Sequence, residues 1–307
     1  MTLEQYLLEL GDESKPFRRA GLLPLSGLLP EELDDLKAAW LSLTPARRCE
    51  ILSALAALSE DNIELDFTSI FRISLADEDE QVRERATRAL WECEDRAIIR
   101  PLIALMQGDR SVKVRVAAAM SLGNFVDMAQ DGKLLSRDGD RMREAFMAVI
   151  GNIHEEPEVR RRAIETVASF HTPEIERIIR QAYEGGDSKL RQSAVYAMGR
   201  NSDTMWLPLI LEELDDPDAA MRYEAANACG ALADESTVPH LIKLIDDDDF
   251  EVQVSAIQAL GNVGGSLATR ALLQCLETGD EALEEAVKTA LSSIEFEEDP
   301  LGFQFHP

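Results

Sequence analysis

A chain of 307 residues, 45% of them hydrophobic, has enough apolar material for two ordinary domains or one extended repeat array, which excludes disorder of the whole chain. With 58 acidic against 31 basic residues the formal charge is −27, a field that repels phosphate backbones and anionic membranes and favours a basic or neutral partner, although acidic faces also serve solubility. Only 17 Gly and 12 Pro interrupt a composition of helix-forming residues that lacks period-2 alternation, so the class is all-α.

Taken from the N-terminus, residues 1–10 carry Glu4 and Glu9 without a basic residue, and no apolar run approaches the roughly 18 residues a membrane span needs. A cytoplasmic protein is the expectation. A short helix near Leu3 to Leu10 precedes FRRAGLLPLSGLLP, read as extended; Pro30 then opens a helix to Trp40, and Thr44-Pro45 caps another to Leu58. Residues 1–76 are expected to form a helical N-terminal cap, with room for one degenerate repeat.

From residue 77 one pattern recurs seven times: an acidic turn, an aliphatic residue, usually Arg, then Ala and Ala-Leu at helical spacing. Examples are DEDEQVRERATRAL (77–90), DPDAAMRYEAANACG (216–230) and DDFEVQVSAIQALG (248–261). The aliphatic residues Val82, Val114, Val159, Leu190, Met221, Val252 and Leu283 mark the register, with steps of 32, 45, 31, 31, 31 and 31 residues. The long step points to an insertion near residues 127–140. Four, seven and eight residues past each mark the side chains are small or aliphatic, so one helical face is buried and its alanines let helices approach closely. Second amphipathic stretches between the copies, such as AIIRPLIALMQ (97–107) and TVPHLIKLI (237–245), make each repeat a helical hairpin. The array should run over residues 77–294, and residues 295–307 leave the pattern as an acidic tail carrying Phe296, Phe303 and Phe305.

These copies resemble HEAT-like repeats of the phycobilisome-lyase type, whose core reads D-x-x-V-R-x-x-A-x-x-A-L-G. The resemblance covers about residues 77–294 and implies a right-handed α-solenoid of about seven hairpins, with the second helix of each hairpin on the concave side. It further implies a non-enzymatic protein-interaction scaffold, or alternatively a tetrapyrrole- or bilin-handling, lyase-like protein using the same groove. A DNA-repair enzyme like the HEAT-like alkylpurine glycosylases would need a basic concave surface, which the charge does not offer.

Chemistry-bearing motifs are sparse. Acid and Arg flanking each register mark, as in Asp109 with Arg115 or Asp218 with Arg222, read as helix caps and an inter-repeat ladder that loosens where Gln253 and Glu284 replace Arg. Asp246 to Asp249 reads as a capping turn. His154, His171, His240 and His306 lack ligand spacing, and Cys49, Cys93, Cys229 and Cys275, each placed within a predicted helix, read as reduced core residues. No phosphate loop or nucleophile motif appears, and Gly199, Gly230 and Gly261 read as packing or helix-bend glycines. No catalytic residue, metal or cofactor is expected. The candidate partner-binding stripe occupies positions two, six and ten past the marks, where charge gives way to Met120, Asn124, Tyr196, Arg200, Tyr223, Asn227, Gln258 and Asn262. The same spacing also lets Tyr196 and Tyr223 pad the groove between helices.

Overall fold

The computed structural model describes residues 10–12, 19–277 and 281–298. Among them every regular element is helical. The short helix expected at Leu3 to Leu10 falls almost wholly outside the described residues, as do Phe303, Phe305 and His306 of the tail.

Residues divide into two compact units, Met1–Thr166 and Val167–Pro307. The first begins with a 3₁₀ turn, Arg19–Leu25. This corrects the extended reading of the FRRAGLLPLSGLLP stretch: Leu22 and Leu25, three residues apart, are both buried, which a 3₁₀ turn achieves by eclipsing i and i+3. It continues with α1 (Pro30–Trp40), α2 (Pro45–Asp61), α3 (Thr68–Ser74), α4 (Glu80–Arg88), α5 (Ile99–Gly108), α6 (Val112–Ser121), α7 (Gly123–Gln130), α8 (Ser136–Gly151) and α9 (Pro157–Val167), the last reaching the boundary. Thr44 caps α2 by accepting from Arg47 N–H, with Pro45 in the first turn where its missing N–H costs nothing. The extra length of the step between the second and third copies is taken up by α7 and the turn that joins it to α8. Here α2 packs on α4 and α4 on α6, while α3 and α5 pair with α4 and α6 as hairpin partners.

The second unit holds α10 (Pro173–Glu184), α11 (Ser188–Asn201), α12 (Leu207–Glu213), α13 (Ala219–Leu232), α14 (Val238–Leu244), α15 (Phe250–Val263), α16 (Gly265–Glu277) and α17 (Glu281–Glu298). Four hairpins result, and the register-bearing helices α11, α13, α15 and α17 pack side by side as one layer. Each register mark faces the core: Val82, Val114, Val159, Met221, Val252 and Leu283 are buried and Leu190 is half-buried.

Three glycines set the spacing of that layer. A Cβ on Gly199 would lie 2.8 Å from Ala228 Cα, one on Gly230 2.9 Å from Ala259 Cα, and one on Gly261 2.8 Å from Ala290 Cβ. They are packing glycines: position nine of each repeat rests on the alanine at position seven of the next, leaving no room for a side chain. Position twelve ends the helix in a left-handed residue, Ser202 (φ 54°), Ala233 (φ 50°) and Gly264 (φ 68°), which turns the chain back toward the next hairpin.

Candidate partner-binding face

The turns before four of the register helices are built the same way. Asp79, Asp187, Asp218 and Asp249 are N-caps whose carboxylates accept from backbone N–H groups of α4, α11, α13 and α15. The arginine after the mark reaches two ways. Arg83 donates to the Asp77 carbonyl at 2.7 Å and grips the Asp109 carboxylate of the next turn through Nε (2.7 Å) and Nη2 (2.9 Å). Arg222 repeats the arrangement, with the Asp216 carbonyl at 2.9 Å and both Asp247 oxygens at 2.7 Å. Arg115 donates to the Asp109 carbonyl and to Glu155, and Arg191 to Glu213 and Asp216. The ladder therefore joins the arginine of one repeat to the acid of the next, not Asp109 to Arg115 through their side chains. Gln253 keeps only the bond to its own turn, donating to the Asp247 carbonyl at 2.8 Å. The Arg222 guanidinium holds the Asp247 carboxyl below the usual carboxylate range. At Asp109 burial pushes upward, and the Arg83 and Ser111 hydrogen bonds more than offset it, so the net shift is downward.

With these charges neutralised along the turns, the stripe positions sort into two groups. Some amides and cations are spent on repeat-to-repeat contacts. Asn124 lies on α7 and donates to the Cys93 carbonyl at 3.2 Å; Asn227 accepts from Ser255 Oγ at 3.0 Å; Arg200 donates to Ser169 Oγ at 3.0 Å. The others reach solvent. Met120 on α6 is 47% exposed, Tyr196 on α11 40% and Tyr223 on α13 37%, and Gln258 and Asn262 on α15 are exposed. Met120 and Asn124 belong to the first unit and the other six residues to the second, where α11, α13 and α15 are neighbours. Beside Tyr196, Gln192 reaches 3.5 Å to Glu224 of the next helix.

A groove in the first unit was not anticipated. A cavity of about 480 Å³ opens between α2 and α4, with Phe67 and Phe71 in its wall, Arg85 and Arg88 on one side, and Ile63 (97% exposed) and Trp91 (54%) at the rim. Trp91 stands at position nine, the slot that later repeats fill with glycine, and its bulk is turned to solvent. The substitution of Trp for Gly was the available signal. Cys93 lies in the turn beyond α4, which corrects its assignment to a helix: α4 stops at Arg88 because Glu92 to Asp95 continue into the capping turn of a 3₁₀ segment, Arg96–Ile98. Cys49, Cys229 and Cys275 are buried within α2, α13 and α16, and none of the four cysteines forms a disulfide. Burial pushes the Cys229 thiol up to about 12, leaving it protonated and unreactive. Among the described residues no group of three or more His, Cys, Asp or Glu could hold a metal ion, and no helix is long and apolar enough to cross a membrane.

Stacked helical hairpins, a glycine-spaced layer and an arginine-acid ladder define an α-solenoid repeat protein. The model of the HEAT repeats matches residues 69–146 and 207–292, more than half of the chain, and the chain belongs to that family. No curated protein matches the sequence. Among solved structures, that of the Kap95:Nup1 complex is similar at 15% identity and a TM-score of 0.53, over 95% of this chain and 46% of that one. That of Kap95p with RanGDP is similar at 16% identity and 0.52, over 98% and 47%. Human deoxyhypusine hydroxylase is similar at 17% identity and 0.38, over 86% and 96%. The chain thus spans about half the length of the two Kap95 chains, and at these identities the likeness concerns the fold alone.

Proposed function

We propose that this protein is a non-enzymatic, cytoplasmic interaction scaffold that holds a basic or neutral protein partner on the exposed face of α11, α13 and α15. One observation carries the reading. In a chain of net charge −27, the two-six-ten positions of these three adjacent helices contain a single formal charge, Arg200, beside exposed Tyr196 and Tyr223 and the amides of Gln258 and Asn262. Solubility alone would populate such a face with carboxylates, as it does the turns; exposed aromatics and amides on rigid helices are what recognition surfaces are made of. In the two similar structures Kap95 is bound to RanGDP and to Nup1, so the fold is used for holding protein partners.

Affinity capture from a native extract, followed by mass spectrometry and quantitative binding of the identified partner, tests the proposal. Tyr196→Ala and Tyr223→Ala should each weaken that complex tenfold or more, in the range of interface hot spots, with helicity and Tm unchanged. Binding that is indifferent to both substitutions while truncation at residue 296 abolishes it would move recognition to the acidic tail and sink the proposal. A visible absorbance band that appears on incubation with tetrapyrroles and disappears in the same variants would assign the face to a chromophore instead.

A further inference from the structure

We propose that the groove between α2 and α4 in the first unit is a second docking site, which takes a partner segment carrying a carboxylate beside a bulky apolar side chain. The site is independent of the face on α11, α13 and α15. Its groove follows from a departure within the repeat. Position three past the register mark is small and buried at Ala117, Ser193 and Ser255, and position nine is glycine at Gly123, Gly199, Gly230 and Gly261. Among the seven copies only the first places large side chains at both, Arg85 and Trp91. The side chains at a contact set how closely helices approach, so α2 and α4 do not close as the glycine-spaced helices do. Two adjoining cavities of about 480 and 610 Å³ open along them, sharing Ser53 and Arg85.

The smaller cavity supplies the apolar part of the site. Phe67 and Phe71 belong to the core and give it a fixed wall, while Ile63 and Trp91 stand exposed at its rim. A small molecule seated inside would leave both rim side chains in water. A chain segment that enters with one side chain and runs on over the rim covers them as well, which selects a protein partner.

The larger cavity supplies the charge. Its ionic lining is Arg19, Arg85 and Glu50, and Glu50 is already held by Arg47 at 2.8 Å. Arg19 and Arg85 have no ion pair among the described residues. Half-buried Arg85 uses one nitrogen, Nη1, which donates to the Gln81 carbonyl and to Cys49 Sγ, both at 3.4 Å. A guanidinium has five N–H donors in a fork that matches a carboxylate, and a thiol is a weak acceptor, so most of that fork is left for a ligand. Glu60, Asp66 and Glu92 line only the smaller cavity. The two ends of the groove thus differ in sign, and the segment lies with its acid toward Arg19 and Arg85 and its apolar side chain toward Phe67, Phe71 and Trp91.

Selection of a displayed library of random peptides on the full chain, followed by fluorescence anisotropy of the enriched peptides with variants of the protein, tests this. Enriched sequences should combine Asp or Glu with Phe, Leu or Trp. Arg85→Ser and Trp91→Gly each install the residue that later repeats carry at that position, so helicity and Tm should hold while binding weakens tenfold or more. Arg85→Lys should keep part of the affinity, since the charge remains and the fork is lost. Tyr196→Ala should leave it unchanged, which separates this site from the face proposed above. Enriched sequences without an acid, binding indifferent to both Arg85→Ser and Trp91→Gly, or no enrichment at all overturns the inference. Binding that appears only once residues 1–9 are deleted would give the groove to the chain's own N-terminal segment, and dimerisation abolished by Trp91→Gly would give it to a second copy; either result also overturns it.

Discussion

At the scale of single residues, the repeat is governed by positions where backbone geometry leaves little choice. Position twelve ends α11 and α13 in the left-handed region with Ser202 and Ala233, although α15 uses Gly264 there. A Cβ in that region costs about 1–2 kcal/mol, partly offset by the greater freedom glycine has in the unfolded chain. Ala233→Gly should therefore raise stability by about 0.5–1 kcal/mol, read as a higher denaturant midpoint at unchanged m-value. A lowered midpoint would show that the Ala233 methyl makes contacts worth more than the strain. Position nine works in the opposite sense. Gly230 faces Cα and Cβ of Ala259, neither of which can swing aside without moving the helix. Gly230→Val should destabilise by about 1–3 kcal/mol, or more if the helices cannot separate; a melting curve like the wild type's would mean the layer is looser than this contact requires.

At the scale of elements, the hydrophobic period and the acidic turns made the hairpins legible. Alanines at fixed spacing with an acid before and an arginine after allow one arrangement of caps, buried face and neighbour, and Asp187, Asp218 and Asp249 are caps in the structure as the pattern requires. What was not legible depends on tertiary context. The Trp91 side chain reads as core by hydrophobicity, yet it is turned to solvent, since the register gives its slot no volume. Leu22 and Leu25 carry no helical period long enough to detect, so from sequence alone the 3₁₀ turn reads as extended chain. Within the stripe, sequence spacing placed Tyr196, Tyr223, Gln258 and Asn262 at the surface but could not show that Asn124 and Asn227 spend hydrogen-bonding capacity on adjacent repeats.

The ladder also has a pH signature at this scale. Asp109 and Asp247 have carboxyl pKa values lowered in the folded chain, so their stabilisation is fully present above the unfolded value of about 3.9 and is lost as pH falls through the folded value. Arg222→Ala removes the main cause of the Asp247 shift and leaves a largely buried carboxylate without its partner. It should cost about 1–2 kcal/mol near neutral pH, with contact to water at the turn keeping the figure modest. The cost should shrink as pH drops from about 5 toward 3, because protonated Asp247 no longer needs the cation. Thermal melts of both proteins across that range give the measurement; a constant difference between them would mean that Arg222 acts through packing alone.

At the scale of the molecule, each register helix of the second unit touches its own hairpin partner and the register helices before and after it, so stability there is a sum of local interfaces. Damage at one interface should consequently stay local. The α15–α17 contact closes where Gly261 meets Ala290, with a Cβ position 2.8 Å from Ala290 Cβ and 3.2 Å from its carbonyl oxygen. Gly261→Val must push α17 away, and α16 loses its hairpin partner with it, whereas α11 and α13 share none of these contacts. Native-state hydrogen exchange should show amides of α16 and α17 losing protection by tenfold or more while those of α11 and α13 exchange as in the wild type. Because Tyr196 and Tyr223 lie on the helices that keep their protection, partner binding should survive the substitution. Loss of protection spread evenly from α10 to α17 would show instead that the unit opens only as a whole, with coupling between repeats stronger than any single interface.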